Sequence, residues 1–213
     1  MYAIGIGDVW GFEDEAAAVH GCVVEAYDPT ADLRAKHEAH AHAGVRYHFA
    51  GLGGTRANST APHHASPAAV TAVTAVTRNW YGAVDPRTLT TLGAMAEADG
   101  HGAIDVLKVD CEGCEWAAFE QIARETPALL DRTSVLFLEL HISPTLVAPS
   151  GVTQFNGIYD FLLDRQGMRL WYLRNSVGFK RDRHVVDFLE EQGAKRDQCC
   201  LALAFYRAPR AGR

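Results

Sequence analysis

Ile104-Asp105-Val106-Leu107-Lys108-Val109-Asp110-Cys111-Glu112-Gly113-Cys114-Glu115-Trp116 is the stretch on which the reading of this chain turns. It begins as a short apolar run with a lysine in its middle, and it ends in a dense acidic turn. Carboxylates crowded onto one turn repel each other unless a ligand, a cation or a donor offsets them. An ordinary core strand has no reason to end this way. In α/β proteins ligands bind beyond the carboxyl ends of parallel strands, so the acidic turn marks a strand end where a site is expected.

Working outward, Ile4-Gly5-Ile6-Gly7-Asp8 opens the chain and supplies a first strand end where the backbone can turn tightly and approach a ligand. The next glycine is Gly11, not position 10, so the dinucleotide fingerprint fails. Tyr27-Asp28-Pro29 follows one βαβ half-unit later. An acid ending the second strand, about 20 residues after the glycines, can accept the ribose hydroxyls of an adenosine. The competing reading of Asp28 is an ordinary cap before a proline turn.

Periodicity and punctuation give alternating strands and helices. Strands are expected over Tyr2–Gly7, Cys22–Tyr27, Ile104–Asp110, Ser134–Leu140, Met168–Arg174 and Cys199–Tyr206, with an alternating segment over Arg46–Ala50. Helices are expected over Glu13–His20, Ala31–Ala43, Thr88–Ala98, Trp116–Ile122 and Phe155–Gln166. Residues 55–79 are rich in Ala, Thr, Ser, Pro and His and read as a long loop; 207–213 reads as a frayed tail. Strand–helix alternation up to Leu140 implies a parallel sheet with helices on both faces. The late pairing of the last two strands places Cys199–Tyr206 antiparallel beside the fifth strand.

At 213 residues the chain suits one α/β domain spanning 1–213. A net charge of −6, with no long basic run, argues against a nucleic-acid backbone as partner. No apolar run reaches the roughly 18 residues of a membrane span, and no signal-peptide pattern precedes the first strand. The compartment stays open, because an upstream anchor is compatible with a chain that begins almost inside its first strand. Five cysteines with two close pairs do not form a secreted disulfide framework. Cys111-x-x-Cys114 has redox or half-zinc spacing, but small apolar packing at a strand end is the favoured reading.

Gly5-Ile6-Gly7, Ala26-Tyr27-Asp28-Pro29, Gly51-Leu52-Gly53 and the block from Leu107 to Trp116 together resemble the methyltransferase-like family that includes methyltransferase-like protein 24. That family is related more distantly to the FkbM-type S-adenosylmethionine-dependent methyltransferases. The resemblance runs nearly end to end, through Phe137-Leu138-Glu139-Leu140-His141 and Asn175 to Leu201–Phe205. It implies a three-layer Rossmann-like methyltransferase fold with a seven-stranded, mostly parallel sheet and an antiparallel last strand. It also implies that Gly5 and Gly7 line the methionine part of S-adenosylmethionine, that Asp28 binds its ribose, and that Gly51 and Leu52 lie near the adenine edge. Asp110 would face the cofactor's amino acid group or the acceptor.

The residues expected to carry chemistry are Asp110, Glu112 and His141. Glu139 and His141 end the strand next to the acidic turn, so a histidine near carboxylates can act as a general base or join an oxygen-rich metal site. No metal ligand set is assigned; a divalent metal is an open option. Glu115 is either a substrate contact or an offset to a helix N-terminus. Lys108 should pair with Asp105 or another acid. The expected function is S-adenosylmethionine-dependent methyl transfer to an oxygen or nitrogen acceptor of a small molecule or glycan. The alternatives are a catalytically degenerate binding or scaffold domain and a nucleotide-binding oxidoreductase. Asp28→Ala should weaken cofactor binding while leaving the unliganded melting temperature nearly unchanged.

Overall fold

The computed structural model describes residues 1–54, 78–79, 81–141, 156–175 and 200–208. Its centre is a seven-stranded sheet of β1 (Tyr2–Ile4), β2 (Val24–Tyr27), β3 (Val45–His48), β8 (Val106–Val109), β9 (Val135–His141), β10 (Arg169–Asn175) and β11 (Cys200–Tyr206). The strands lie in the order β3-β2-β1-β8-β9-β11-β10. All neighbours from β3 to β9 are parallel, and β11 runs antiparallel to both β9 and β10. This is the expected Rossmann-like arrangement, with the last strand inserted beside the fifth.

β1 and β2 show no polar–apolar alternation because both of their faces are covered. On one face α1 (Gly11–His20) packs Ala16 with Ala3, Ile6, Trp10, Val24 and Ala26. On the other, α3 (Leu92–Ala98), α4 (Glu115–Glu125) and the π-helical segment Asp160–Arg165 bury Leu92, Met95, Phe119, Ile122, Phe161 and Leu162 against Ile4, Leu107, Leu136 and Leu138. β9 alternates strictly: Leu136, Leu138 and Leu140 enter this second core, while Phe137, Glu139 and His141 point to the other side.

Two helices are shorter than their composition suggests. The run over Ala31–Ala43 yields a 3-10 turn (Ala31–Leu33) and α2 (Arg34–Glu38) only. Here tertiary packing overrides propensity: the buried His37 ring lies 5.1 Å from both Trp10 and Tyr47, and His40 bonds Asp14 at 2.8 Å. The run over Thr88–Ala98 starts its helix only at Leu92, because the Thr91 side chain accepts from Ala94 N and caps it there. Before it, β7 (Leu89–Thr90) pairs with β4 (Gly51–Leu52). A hairpin of β5 (Arg78–Asn79) and β6 (Gly82–Ala83) carries Tyr81 at its tip.

The loop expected over 55–79 lies, for 55–77, outside the described residues. Of the tail, residues from 209 onward are also outside them. Arg207 is anchored: its guanidinium donates to the carbonyls of Leu130, Thr133 and Gln166. No helix among the described residues is long and apolar enough to cross a membrane.

Candidate functional site

The strand order brings three carboxyl ends side by side, those of β1, β8 and β9. A cavity of about 80 Å³ opens there, lined among others by Gly5, Gly7, Asp28, Gly51, Leu52, Asp110, Glu112 and His141. These eight residues, nominated from the sequence for cofactor contact or chemistry, thus border one recess, whereas Glu115 does not line it.

The glycine turn after β1 sits against the neighbouring strand end. Gly5 has φ +80°, and a Cβ on it would lie 1.6 Å from the Asp110 carbonyl oxygen, so no other residue fits. The turn is gripped from both sides. Asp28 accepts from Ile6 N and Gly7 N with one oxygen, each at 3.0 Å, and from Thr30 N with the other at 2.9 Å. Lys108 donates to the Gly5 carbonyl and reaches Glu13 of α1 at 3.3 Å. The acid that meets Lys108 is therefore the fully buried Glu13; Asp105 lies instead beside Arg132.

This geometry revises the expectation for Asp28. The side chain is 2% exposed, and both oxygens already hold backbone N–H groups. Removing it orphans those donors, so the unliganded protein must lose stability as well as any ligand contact.

The acidic turn is built around Glu115, the first residue of α4. Its carboxylate is fully buried and accepts from Cys111 N at 2.9 Å and Gly113 N at 3.0 Å, which closes the turn. The same carboxylate contacts His141 Nδ1 at 3.0 Å. The other ring nitrogen, Nε2, lies 3.1 Å from Glu112 and 3.8 Å from Asp110. The Trp116 indole N–H donates to the His141 carbonyl at 2.9 Å, fixing the end of β9 to α4. His141 is therefore held between two carboxylates. Burial opposes its charged form, but Glu112 and Glu115 outweigh burial and raise its pKa well above the ordinary value. Asp110 moves in the opposite chemical sense. Burial, helped by Glu139 and Glu112 against the pull of His141 and Lys108, raises its carboxyl to about 7.

Cys111 and Cys114 are joined by a disulfide, which replaces the reading of two small apolar residues at a strand end. Their spacing carried that signal, but spacing alone does not separate a bridge from simple packing. Tyr81 gave no sequence signal at all: its ring lies against Gly7, 3.0 Å from where a Cβ would stand. The donor atoms of Asp110, Glu112 and His141 lie within 4.8 Å of one another. A cation placed there would have to compete with the His141 proton for the imidazole lone pair.

No significant match is found among curated proteins or solved structures. The family model described as methyltransferase FkbM domain matches residues 6–194, a span that runs from the glycine turn across the acidic turn and beyond β10. With strand order, site and family model in agreement over most of its length, this chain belongs to the FkbM methyltransferase domain family.

Proposed function

We propose that the protein transfers a methyl group from S-adenosylmethionine to an oxygen or nitrogen acceptor of a small molecule or glycan, at the recess between Gly5, Asp110 and His141. The observation that carries this reading is the convergence of the glycine turn, Asp28 and the acidic turn on one cavity in a methyltransferase-family domain. The lining suits the cofactor chemically. Gly5 and Gly7 leave backbone room for its methionine part, and Glu112 offers an acceptor for its ammonium group. Leu52, Val84, Leu89 and Pro29 offer an apolar wall for the adenine, beside Gly51. At about 80 Å³ the recess is smaller than the several hundred Å³ usual for a ligand of this size, and the Tyr81 ring against Gly7 is one of the groups that narrow it.

The cofactor supplies an activated methyl group on a sulfonium, which leaves the protein to align the acceptor and manage its proton. Asp110 is the base in this reading. A carboxyl with a pKa of about 7 is poised to accept a proton from a hydroxyl near neutral pH. His141, charged between Glu112 and Glu115, is a fixed cation that helps Asp110 ionise. Asp28 keeps the glycine turn in shape, and any ribose contact falls to the remaining lone pairs of its oxygens. The reading needs no divalent ion.

Calorimetric titration with S-adenosylmethionine, S-adenosylhomocysteine and NAD tests it. Binding of both adenosyl compounds but not NAD, with turnover on a panel of hydroxyl and amine acceptors, is the expected result. S-adenosylhomocysteine binding without turnover on any acceptor would make the domain a binding module. Binding of NAD alone would move it to redox chemistry.

A further inference from the structure

Between Asp110 and Glu115 the chain makes a four-residue turn whose ends, Cys111 and Cys114, are bridged, with Cα atoms 5.4 Å apart. Inside that loop Glu112 has φ +59°, and among the described residues it is the only non-glycine with positive φ. Such a conformation is disfavoured for a residue with a side chain and persists only where the surroundings over-determine it. Here the surroundings are the disulfide, the flexible Gly113 at φ +108°, and the two N–H bonds to Glu115. The consequence is functional. With its backbone so held, the Glu112 carboxylate comes to 3.1 Å from His141.

The two sulfurs are unequally placed. Both border the recess, but Cys111 is half-buried, whereas Cys114 is only 6% exposed and precedes the first residue of α4. A thiol at Cys111 is reachable from the recess; a thiolate at Cys114 faces the positive end of an eleven-residue helix, which makes it the better leaving group.

We propose that Cys111 and Cys114 form a reversible redox modification site that sets the shape of the acidic turn, with the disulfide holding Glu112 against His141 and reduction releasing it. The partner reaction is exchange with a dithiol. One thiolate of the reductant attacks Cys111 Sγ and expels the Cys114 thiolate. The second thiolate then displaces Cys111 and closes the reductant to its own disulfide. Two electrons pass to the protein, and its sulfurs end as thiols with two protons. Control of methyl transfer by this pair rests on the function proposed above; the change in the turn does not, and it can be read without any cofactor.

Among the described residues, those that face His141 include Asp110 just after β8, Glu112 from the turn, Glu115 from α4, and Glu139 on its own strand beside Cys200 of β11. Of these, the disulfide controls Glu112 most directly. The test follows the His141 imidazole by NMR through a pH titration of the full chain, oxidised and after treatment with dithiothreitol. Alkylation and mass analysis report the state of Cys111 and Cys114, and circular dichroism checks that the chain stays folded. The expected result is a His141 midpoint lower by about half a pH unit or more in the reduced protein, restored by reoxidation.

The Cys111→Ser/Cys114→Ser double variant should titrate like the reduced protein and ignore the reductant. Cys200 is also disulfide-bonded, so a reductant effect that persists in the double variant would overturn the assignment to this pair. An unchanged midpoint with both thiols free would overturn the proposal as well. S-adenosylhomocysteine titrations in the two states separate the failures. Binding with an unmoved midpoint sinks the switch alone, and a moved midpoint without binding in either state sinks the methyl-transfer reading alone.

Discussion

At Asp110 the needs of chemistry and of stability diverge. Its carboxyl is raised to about 7 mainly by burial, so holding it ionised costs the folded state while making it a usable base. Asp110→Asn keeps the shape and removes the proton acceptor. Turnover should fall on the order of 10² to 10⁴, the usual contribution of a general base. The melting temperature at pH 8 should stay the same or rise. In the unmodified protein the rate should climb as pH passes through about 7, and this acidic limb should vanish from the residual activity of the variant. A variant that keeps full turnover would remove Asp110 from the chemistry. Glu115 acts one step away, through His141 and through the N–H groups of Cys111 and Gly113. Glu115→Gln keeps the shape but weakens the charge on His141, so its imidazole titration midpoint should fall. If it does not, Glu112 alone sets that charge.

Among the elements, the glycine turn depends most on distant partners. Asp28 and Lys108 hold its two sides from β2 and β8, so the turn is not stable on its own sequence alone. Asp28→Ala should therefore lower the melting temperature without ligand, since each orphaned buried N–H costs on the order of 1–3 kcal/mol. An unchanged melting temperature would mean that water replaces the carboxylate. The sequence revealed the turn because glycines and an acid at a strand end are local signals. It revealed β8 and the acidic turn for the same reason. It did not reveal that Asp28 faces inward to backbone donors, because hydrogen-bond direction depends on where two separate strand ends meet. The short α2 was hidden likewise: its alanines and charged residues favour helix, and the stop goes with contacts remote in sequence, those of His37 with Trp10 and Tyr47 and of His40 with Asp14. Thr91 was readable in principle, as a capping residue just before an apolar helical run.

For the whole molecule, the parallel sheet gathers titrating groups whose linkage to folding has one sign. β1 and β9 both pair with β8, so Gly5, Asp110 and His141 meet at a single edge. A raised carboxyl binds its proton more tightly folded than unfolded, so Asp110 makes stability fall as pH rises from about 3.8 to about 7. His141 is also raised. Its contribution is fully present below about 6.5, the unfolded value, and is lost as pH rises through the higher folded value. Asp110 thus opposes the usual gain in stability that ionising well-paired carboxylates gives on leaving acid, and His141 adds a loss only above neutrality. Melting temperatures measured from pH 4 to pH 9 should separate the two. Asp110→Asn should flatten the downward component between about pH 4 and 7 and leave the part above neutrality. Glu112→Gln should shift the upper part to lower pH, because His141 then loses one of the carboxylates that hold its proton. If both variants track the unmodified protein in parallel across the whole range, neither group carries the linkage, and the charge assignment at the acidic turn fails with it.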